Sequence, residues 1–189
     1  PLSRADLPTH AERGPVEGVQ RICEAARIAV DRAGVSLKDI QAVGVGSPGP
    51  MDLKRQIIIN PHNLPGWVNL PLAEEVGKNL GLPAVLQNDA NSAAFGEYWA
   101  GVGKDVNSLV QFTLGTGIGC GVVIDGKILE GEHSHGAEAG HIRIALENPR
   151  YNATGLYGSL EAYASAKAVV ERAEEALRVG EKSSLSDLL

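Results

Sequence analysis

The stretch LPAVLQNDANSAAFGEYWAG, residues 82–101, decides the fold class. Its apolar run at residues 84–87 predicts a short buried strand, and this strand leads directly to Asn88 and Asp89. The Ala-rich run that follows predicts a helix, which ends at Gly101. A strand that passes at once into a helix is typical of an α/β protein.

The rest of the chain repeats this alternation of helices and strands. Predicted helices cover residues 15–33, 71–80, 90–100 and 160–177, and predicted strands cover residues 40–46, 56–59, 84–87, 108–114 and 120–124. The last two strands flank a Gly-rich turn, and this spacing predicts a β-hairpin. Residues 131–141 are predicted to form a loop and residues 180–189 a frayed tail.

The composition excludes several classes of protein. The 189 residues are 43% hydrophobic, an ordinary value for a globular protein, so a disordered or fibrous chain is excluded. A net charge of −6 and only 4% aromatic residues argue against a nucleic-acid partner. No run approaches the ~18 apolar residues of a membrane span, no secretory signal opens the chain, and two cysteines cannot build a disulfide scaffold. We therefore expect a cytoplasmic protein with neither a membrane nor a nucleic-acid partner.

The glycine-rich segment GVGSPG, residues 44–49, matches the dinucleotide-binding pattern G-x-G-x-x-G. That pattern requires a helix to begin in the loop, and Pro48 and Pro50 are incompatible with such a helix. We therefore interpret the segment as a rigid turn that lines a pocket.

A second glycine-rich segment, LGTGIGCG at residues 114–121, lies between the strands of the predicted hairpin. Successive backbone N–H groups in such a turn form a concave anion-binding surface, and Thr116 adds a hydroxyl donor. A hairpin that uses glycine only for positive φ is the alternative. Because the alternating glycines exceed what a hairpin requires, the segment favours phosphate binding.

Asn88 and Asp89 allow two interpretations. An Asx pair at the start of a helix accepts hydrogen bonds from the free N–H groups of the first turn, which is the usual helix cap. Ligands of open α/β sheets also bind beyond the carboxyl ends of the strands, where such side chains project. A carboxylate in that place is able to deprotonate a substrate hydroxyl. The residues by themselves leave both interpretations open.

The loop HSHGAEAGH, residues 133–141, contains three histidines and a carboxylate, which are suitable metal ligands. Its two glycines prevent a helix through the loop, so the fixed ligand face of a zinc-binding helix is missing. A hydrogen-bonding site for a polyhydroxylated ligand fits Glu138 and His141 better. Metal binding by the histidines at positions 133, 135 and 141 stays open as the alternative.

Six segments together resemble the ROK family of sugar kinases, and bacterial glucokinases in particular. They are VGVGSPGPMD (43–52), NPHNLPGWVNLPL (60–72), LPAVLQNDANSAAFGE (82–97), TLGTGIGCGVVIDGKI (113–128), GAEAGHI (136–142) and GSLEAYAS (158–165). They occur in the family's order, and the resemblance extends over residues 1–178.

The resemblance implies an α/β fold of the actin-like ATPase type, with two ribonuclease-H-like lobes that this chain covers only in part. Residues 1–104 would be the remainder of the small N-terminal lobe, and residues 105–189 the first part of the large lobe. The resemblance further implies an ATP-dependent kinase that phosphorylates the 6-hydroxyl of a hexose, glucose above all, with Mg²⁺ to neutralise charge. A homodimer is a further family expectation.

The resemblance also implies a role for each candidate residue. Asp89 would be the general base that takes the proton from the 6-hydroxyl of the sugar. The sugar hydroxyls would be bound by Asn88, Glu138, His141 and Glu161, and Gly49 and Asn63 would line the same pocket. The ATP phosphates would be held by Gly115, Thr116 and Gly117.

The chain departs from the family pattern at the zinc segment. Family members typically hold a structural zinc on a C-x-C-G-x-x-G-C segment, which corresponds here to NATGLYGS, residues 152–159. Every cysteine is replaced, and His141 alone cannot hold zinc tetrahedrally. We therefore expect no structural zinc in this chain.

The ends of the sequence also differ from the family. Its first phosphate motif, D-x-G-G-T-K, and the adenosine-binding part of its large lobe do not occur here, so we expect part of a longer protein without a complete ATP site. Two other functions stay open, namely a sugar-responsive ROK transcriptional repressor and an inactive sugar-binding homologue. The sequence contains no helix-turn-helix and no zinc cysteines, which disfavours the repressor, and the intact Asp89 disfavours an inactive homologue.

Overall fold

The computed structural model describes residues 1–187, which fold as two compact units. The first unit consists of residues 1–92 together with residues 130–135, and the second consists of residues 93–129 together with residues 136–187. The lobe boundary that we place at residue 104 from the sequence stays a prediction. Residues 188 and 189 of the predicted tail lie outside the described part of the chain.

Helices and strands alternate along the chain as the sequence predicts. The helices are α1 (Pro15–Arg32), α2 (Leu72–Leu80), α3 (Asp89–Ala100), α4 (Leu160–Ala164) and α5 (Ala166–Arg178). The strands are β1 (Val43–Ser47), β2 (Met51–Asp52), β3 (Ile57–Ile58), β4 (Ala84–Asn88), β5 (Ser108–Leu114), β6 (Ile118–Ile124) and β7 (Lys127–Ile128). Short 3₁₀ turns lie at Ala11–Arg13, Leu37–Asp39, Ala139–His141 and Ser184–Asp187. None of the helices within residues 1–187 has both the length and the apolar character needed to cross a membrane.

One predicted element is wrong, because residues 160–177 belong to two helices and not to one. Ser165 has φ −65° and ψ 158°, an extended conformation that ends α4. Its hydroxyl oxygen accepts a hydrogen bond from the N–H of Ala168 (3.2 Å) and thereby caps α5. Serine is a preferred N-cap residue. This local hydrogen bond outweighs the apolar spacing that suggests a single continuous helix.

The core of the first unit contains the parallel strands β1 and β4 and the helices α1 and α2. Apolar residues at helical spacing give each helix one buried face, and Cys23 of α1 and Val76 of α2 are both fully buried. The strand register places Ser47, the last residue of β1, opposite Asn88, the last residue of β4. The carboxyl ends of the two strands therefore lie side by side.

The side chain of Gln56 takes the place of a neighbouring strand beside β4. Its Oε1 accepts a hydrogen bond from the N–H of Leu86 (2.6 Å), and its Nε2 donates to the carbonyl of the same residue (3.2 Å). The Nε2 also donates to the carbonyl of Leu53 (2.6 Å). These bonds satisfy backbone groups that would otherwise lack a partner, and they fix the strand that carries Asn88.

A Gly18→Ala substitution is expected to destabilise the first unit by about 1–3 kcal/mol, the usual cost of overpacking a core. Gly18 is buried in α1, and a Cβ atom there would overlap the indole ring of Trp67, which is 1% exposed. Urea-induced unfolding followed by circular dichroism measures the loss. The matched control is Gly96→Ala in α3, where a Cβ atom meets no atom within 4 Å, so this change should stabilise by about 0.5–1 kcal/mol. Equal effects of the two substitutions would contradict the prediction.

The second unit is built on the antiparallel hairpin of β5 and β6, in agreement with the sequence prediction. The strands pair up to Leu114 opposite Ile118, and the residues between these two form the turn. β7 pairs with the end of β6 after the tight turn at residues 125–126. β6 also contacts α4 and the 3₁₀ turn Ala139–His141. The hairpin therefore positions α4 and the 3₁₀ turn in this unit.

Candidate functional site

The sequence leaves open whether Asn88 and Asp89 cap a helix or face a ligand, and in the structure the two residues differ in this respect. The Asn88 Oδ1 accepts a hydrogen bond from the N–H of Asn91 (3.1 Å), so Asn88 caps the start of α3. The Asp89 Oδ1 accepts one bond, from the N–H of Ala90 (2.9 Å), and the side chain is exposed. Within residues 1–187, no group donates a hydrogen bond to the Asp89 Oδ2. One carboxylate oxygen at the carboxyl end of β4 is therefore free to accept a proton.

Gln87 supports this pair, although no motif in the sequence includes it as a site residue. Its Oε1 accepts hydrogen bonds from the N–H of Asn88 (2.8 Å) and from the Nδ2 of Asn91 (3.3 Å). Its Nε2 donates to the Oε1 of Glu130 (2.8 Å). The one sequence signal for this role is that Gln87 is a polar residue directly after the apolar residues 84–86 of the same strand.

Gly49 and Asn63, the two pocket-lining candidates of the first unit, lie in loops. Gly49 follows β1 and precedes Pro50 across a cis peptide bond, and a Cβ atom at Gly49 would make an ordinary 3.6 Å contact with the Met51 nitrogen. Asn63 is exposed in a turn closed by a hydrogen bond from the N–H of Leu64 to the carbonyl of Pro61 (3.1 Å). The hydrogen bonds of the described residues connect neither Gly49 nor Asn63 to Asp89.

The glycine-rich turn of the second unit has free N–H groups. The Gly115 N–H donates to the carbonyl of Gly117 (3.0 Å), and the Gly115 carbonyl accepts from the N–H of Ala166 at the start of α5 (2.9 Å). Within residues 1–187, the N–H groups of Thr116 and Gly117 and the Thr116 hydroxyl have no hydrogen-bond partner. The turn therefore offers three donors to an anion, and the N–H of Gly115 is not one of them.

Glu161 lies directly against this turn. Its Oε2 accepts a hydrogen bond from the N–H of Ile118 (2.9 Å), and its Oε1 accepts one from the Nδ2 of Asn152 (2.8 Å). A Cβ atom at Gly117 would overlap the Glu161 carboxylate, so this packing requires glycine at position 117. The structure thus brings together two of the predicted site residues, Gly117 and Glu161.

Glu138 and His141 lie at the two ends of a short 3₁₀ turn. The Glu138 Oε2 is 3.7 Å from the His141 Nε2, and both side chains are exposed. Gly140, between them, is buried against the Ile118 carbonyl of β6. These contacts hold the two predicted sugar-binding residues on the strand whose first N–H binds Glu161.

Cys120 lies in β6 beneath this turn and is buried. Burial raises the pKa of the Cys120 thiol, and the negative charge of Glu138 raises it further, while a hydrogen bond with the backbone of Ala139 lowers it. A raised pKa lowers the fraction of thiolate, so Cys120 fits a buried structural residue better than an activated nucleophile.

The chain between His141 and Glu161 forms a loop closed at its base by main-chain hydrogen bonds. The N–H of Leu160 donates to the carbonyl of Ile142 (2.9 Å), and the N–H of Ile144 donates to the carbonyl of Gly158 (2.7 Å). These bonds place the start of α4, and with it Glu161, beside the end of the turn that carries His141.

The residues at the family's cysteine positions do not fit a zinc ion. The Asn152 Oδ1 accepts hydrogen bonds from the N–H groups of Thr154 (3.1 Å) and Leu156 (2.9 Å), and the Ser159 hydroxyl caps α4 by accepting from the N–H of Ala162 (3.2 Å). These side chains supply no thiolate. In the described part of the chain, no group of three or more His, Cys, Asp or Glu side chains is placed to hold a metal.

The sequence profile of the ROK family matches residues 9–189. The glucokinase of Thermotoga maritima is 38% identical over 188 residues, and the alignment covers 100% of this chain and 56% of that protein. The chain therefore spans about half the length of the curated relatives it matches.

Two solved structures are similar in fold. The ROK hexokinase from Thermus thermophilus has a TM-score of 0.78 at 37% identity, over 94% of this chain and 57% of that chain. A ROK family glucokinase from Streptomyces griseus, in complex with glucose and AMPPNP, has a TM-score of 0.74 at 36% identity, over 92% of this chain and 52% of that chain. These similarities confirm the predicted actin-like ATPase fold, which this chain covers in part.

Relatives with other functions also match. The xylose repressor of Caldicellulosiruptor bescii is 31% identical over 151 residues, which are 80% of this chain and 37% of that protein. The N-acetylmannosamine kinase of Salmonella newport is 34% identical over 176 residues, which are 92% of this chain and 57% of that protein. Similarity alone therefore leaves more than one sugar and more than one activity to compare.

Proposed function

The chain belongs to the ROK family, and from this premise we propose that the protein containing it transfers phosphate from ATP to the 6-hydroxyl of a hexose. Glucose is the proposed sugar. The observation that carries the proposal is the Asp89 carboxylate, which has one oxygen free of protein hydrogen bonds at the carboxyl end of β4. A pure sugar-binding protein has no need of such a base.

Asp89 takes the proton of the 6-hydroxyl as that oxygen attacks the γ-phosphate. The remaining sugar hydroxyls are bound by Asn88, Glu138, His141 and Glu161, with Gly49 and Asn63 as further pocket residues. Amide, imidazole and carboxylate groups supply both donors and acceptors, which is the requirement for selecting a polyol. Because the Asn88 Oδ1 caps α3, its Nδ2 would be the atom that contacts the sugar.

The phosphate end of the site is the turn of Gly115, Thr116 and Gly117. The free N–H groups of Thr116 and Gly117 and the Thr116 hydroxyl would donate to phosphate oxygens, and Gly115 would supply the turn geometry and its contact with α5. Mg²⁺ bound with ATP would neutralise the charge that develops on the phosphates. We further propose a cytoplasmic protein that forms a homodimer.

A sugar-responsive transcriptional repressor is the second candidate function, because a xylose repressor is among the relatives of this chain. In that case the same pocket would bind sugar and regulate DNA binding without turnover. An inactive sugar-binding homologue would likewise bind sugar without turnover. Phosphoryl transfer therefore separates the kinase from both alternatives.

A coupled ADP-release assay on the full-length protein tests the proposal. Glucose, fructose, mannose, N-acetylglucosamine and N-acetylmannosamine are compared as substrates, and the highest kcat/KM is expected for glucose. A higher kcat/KM for another sugar would support the kinase proposal but replace glucose as the proposed substrate. A protein that binds one of these sugars but releases no ADP with any of them would overturn the kinase proposal.

A further inference from the structure

We propose that Asn152 is a positioning residue that fixes the carboxylate of Glu161 for sugar binding. The inference rests on the proposed function, because it gives Glu161 a sugar to bind. Asn152 lies at the first cysteine position of the family's zinc segment, and its side chain forms hydrogen bonds both within the loop and to Glu161.

The two ends of the Asn152 amide have separate partners. Its Oδ1 accepts three hydrogen bonds from the loop, from the Thr154 N–H (3.1 Å), the Thr154 hydroxyl (2.8 Å) and the Leu156 N–H (2.9 Å). Its Nδ2 donates to the Oε1 of Glu161 (2.8 Å). The oxygen therefore closes the loop, and the nitrogen is left for Glu161.

The loop has other anchors that do not involve the Asn152 nitrogen. The Arg150 guanidinium pairs with Glu175 of α5, and the N–H of Arg150 donates to the hydroxyl of Tyr163 (3.2 Å). The Arg143 guanidinium lies 3.9 Å from the centre of the Tyr157 ring, a cation–π contact. Because these contacts also anchor the loop, we expect it to fold when the bond from Asn152 to Glu161 is lost.

The bond to Asn152 determines the plane of the Glu161 carboxylate. One hydrogen bond, from the N–H of Ile118, fixes a single oxygen and leaves the group free to rotate about it. The second bond, on the other oxygen, removes that freedom. Each carboxylate oxygen keeps one further accepting position, so the fixed carboxylate presents two acceptors in defined directions. Such preorganisation is what binds a hydroxyl group with little loss of entropy.

Asn152 and Glu161 both line a cavity of about 90 Å³, together with Thr116 of the glycine-rich turn. Ile118, whose N–H donates to Glu161, belongs to β6, and Gly140 packs against the carbonyl of the same residue. Because Glu161 also lies against Gly117 of the glycine-rich turn, sugar affinity has to be measured without ATP to separate the two ends of the site. The inference predicts a loss of sugar affinity under these conditions.

The Asn152→Asp substitution tests the inference in the full-length protein. It keeps the Oδ1 acceptor that closes the loop, but it replaces the donor with a negatively charged oxygen that repels Glu161. Glucose affinity, measured by isothermal titration calorimetry without ATP, is expected to fall about tenfold, the effect of losing a hydrogen bond to a charged group. Unchanged glucose affinity in folded N152D protein would overturn the inference.

Two further variants separate positioning from folding. Thr154→Val removes only a loop-closing bond, so it should lower the melting temperature slightly and leave glucose affinity unchanged. Glu161→Gln is expected to weaken glucose binding by itself, and in the N152D/E161Q protein the new amide is able to donate to the new carboxylate. We expect N152D to cost less in the E161Q background than alone, and additive losses would overturn the inference. A full-length protein that binds glucose but releases no ADP would overturn the kinase proposal and leave this affinity test intact.

Discussion

The Asp89→Asn substitution is expected to lower the kcat of the full-length protein by about 10²- to 10⁴-fold, the usual contribution of a general base. The amide is nearly isosteric with the carboxylate and keeps the Oδ1 that accepts the N–H of Ala90 (2.9 Å), so the start of α3 is preserved. What it lacks is the charged oxygen that takes the proton. The coupled ADP-release assay with glucose measures kcat, and calorimetry measures sugar affinity, which should be retained.

Asp39→Asn is the matched control for this substitution. Asp39 is also an exposed carboxylate that accepts a backbone hydrogen bond, here from the N–H of Ser36 (2.9 Å), and it lies in a different part of the first unit. This control should leave kcat unchanged. If D89N keeps normal turnover, Asp89 only stabilises the start of α3, and another group accepts the proton of the 6-hydroxyl. If D89N also loses its melting transition, its low activity reflects misfolding. Asp89→Glu, which keeps a carboxylate, is then used to distinguish misfolding from loss of the base.

The strand–helix junction at residues 84–100 could be predicted from the sequence because its signals are local. An apolar run, an Asx pair and an Ala-rich segment lie next to one another, and each depends on neighbours within a few residues. The same holds for the hairpin and for α1, whose buried face includes Cys23. The family resemblance adds what local patterns cannot, namely the actin-like fold, the individual roles of the site residues, and the candidates Gly49, Asn63 and Glu161.

Contacts between distant residues could not be predicted in this way. Gln87 ends a predicted strand, and Glu130 lies 43 positions later and outside every predicted element, so neither residue indicates their hydrogen bond. The break at Ser165 was missed for a different reason, since a serine within an apolar helical pattern is tolerated or acts as a cap depending on the packing around it. Local patterns therefore identify the elements, and packing decides where one element ends.

Glycines of the second unit illustrate the same difference. From the sequence, Gly117 and Gly140 are loop glycines that suggest a ligand nearby. In the structure both are sites of close approach within the protein, Gly117 to the Glu161 carboxylate and Gly140 to the Ile118 carbonyl. Neither has a positive φ, so the requirement for glycine here is the missing Cβ atom and not backbone freedom.

A Gly140→Ala substitution is therefore expected to weaken glucose binding at least tenfold and to destabilise the second unit by about 1–3 kcal/mol. The new Cβ atom would overlap a backbone carbonyl of β6, which cannot move aside as a flexible side chain does, so the turn that carries Glu138 and His141 must shift. Calorimetry with glucose and urea-induced unfolding measure the two losses. Ala137→Gly, at a residue with φ 62° in the same loop, is the control and should not lower stability. If G140A binds glucose normally, the position of this turn on β6 does not govern sugar affinity, and Glu138 and His141 lose their proposed role.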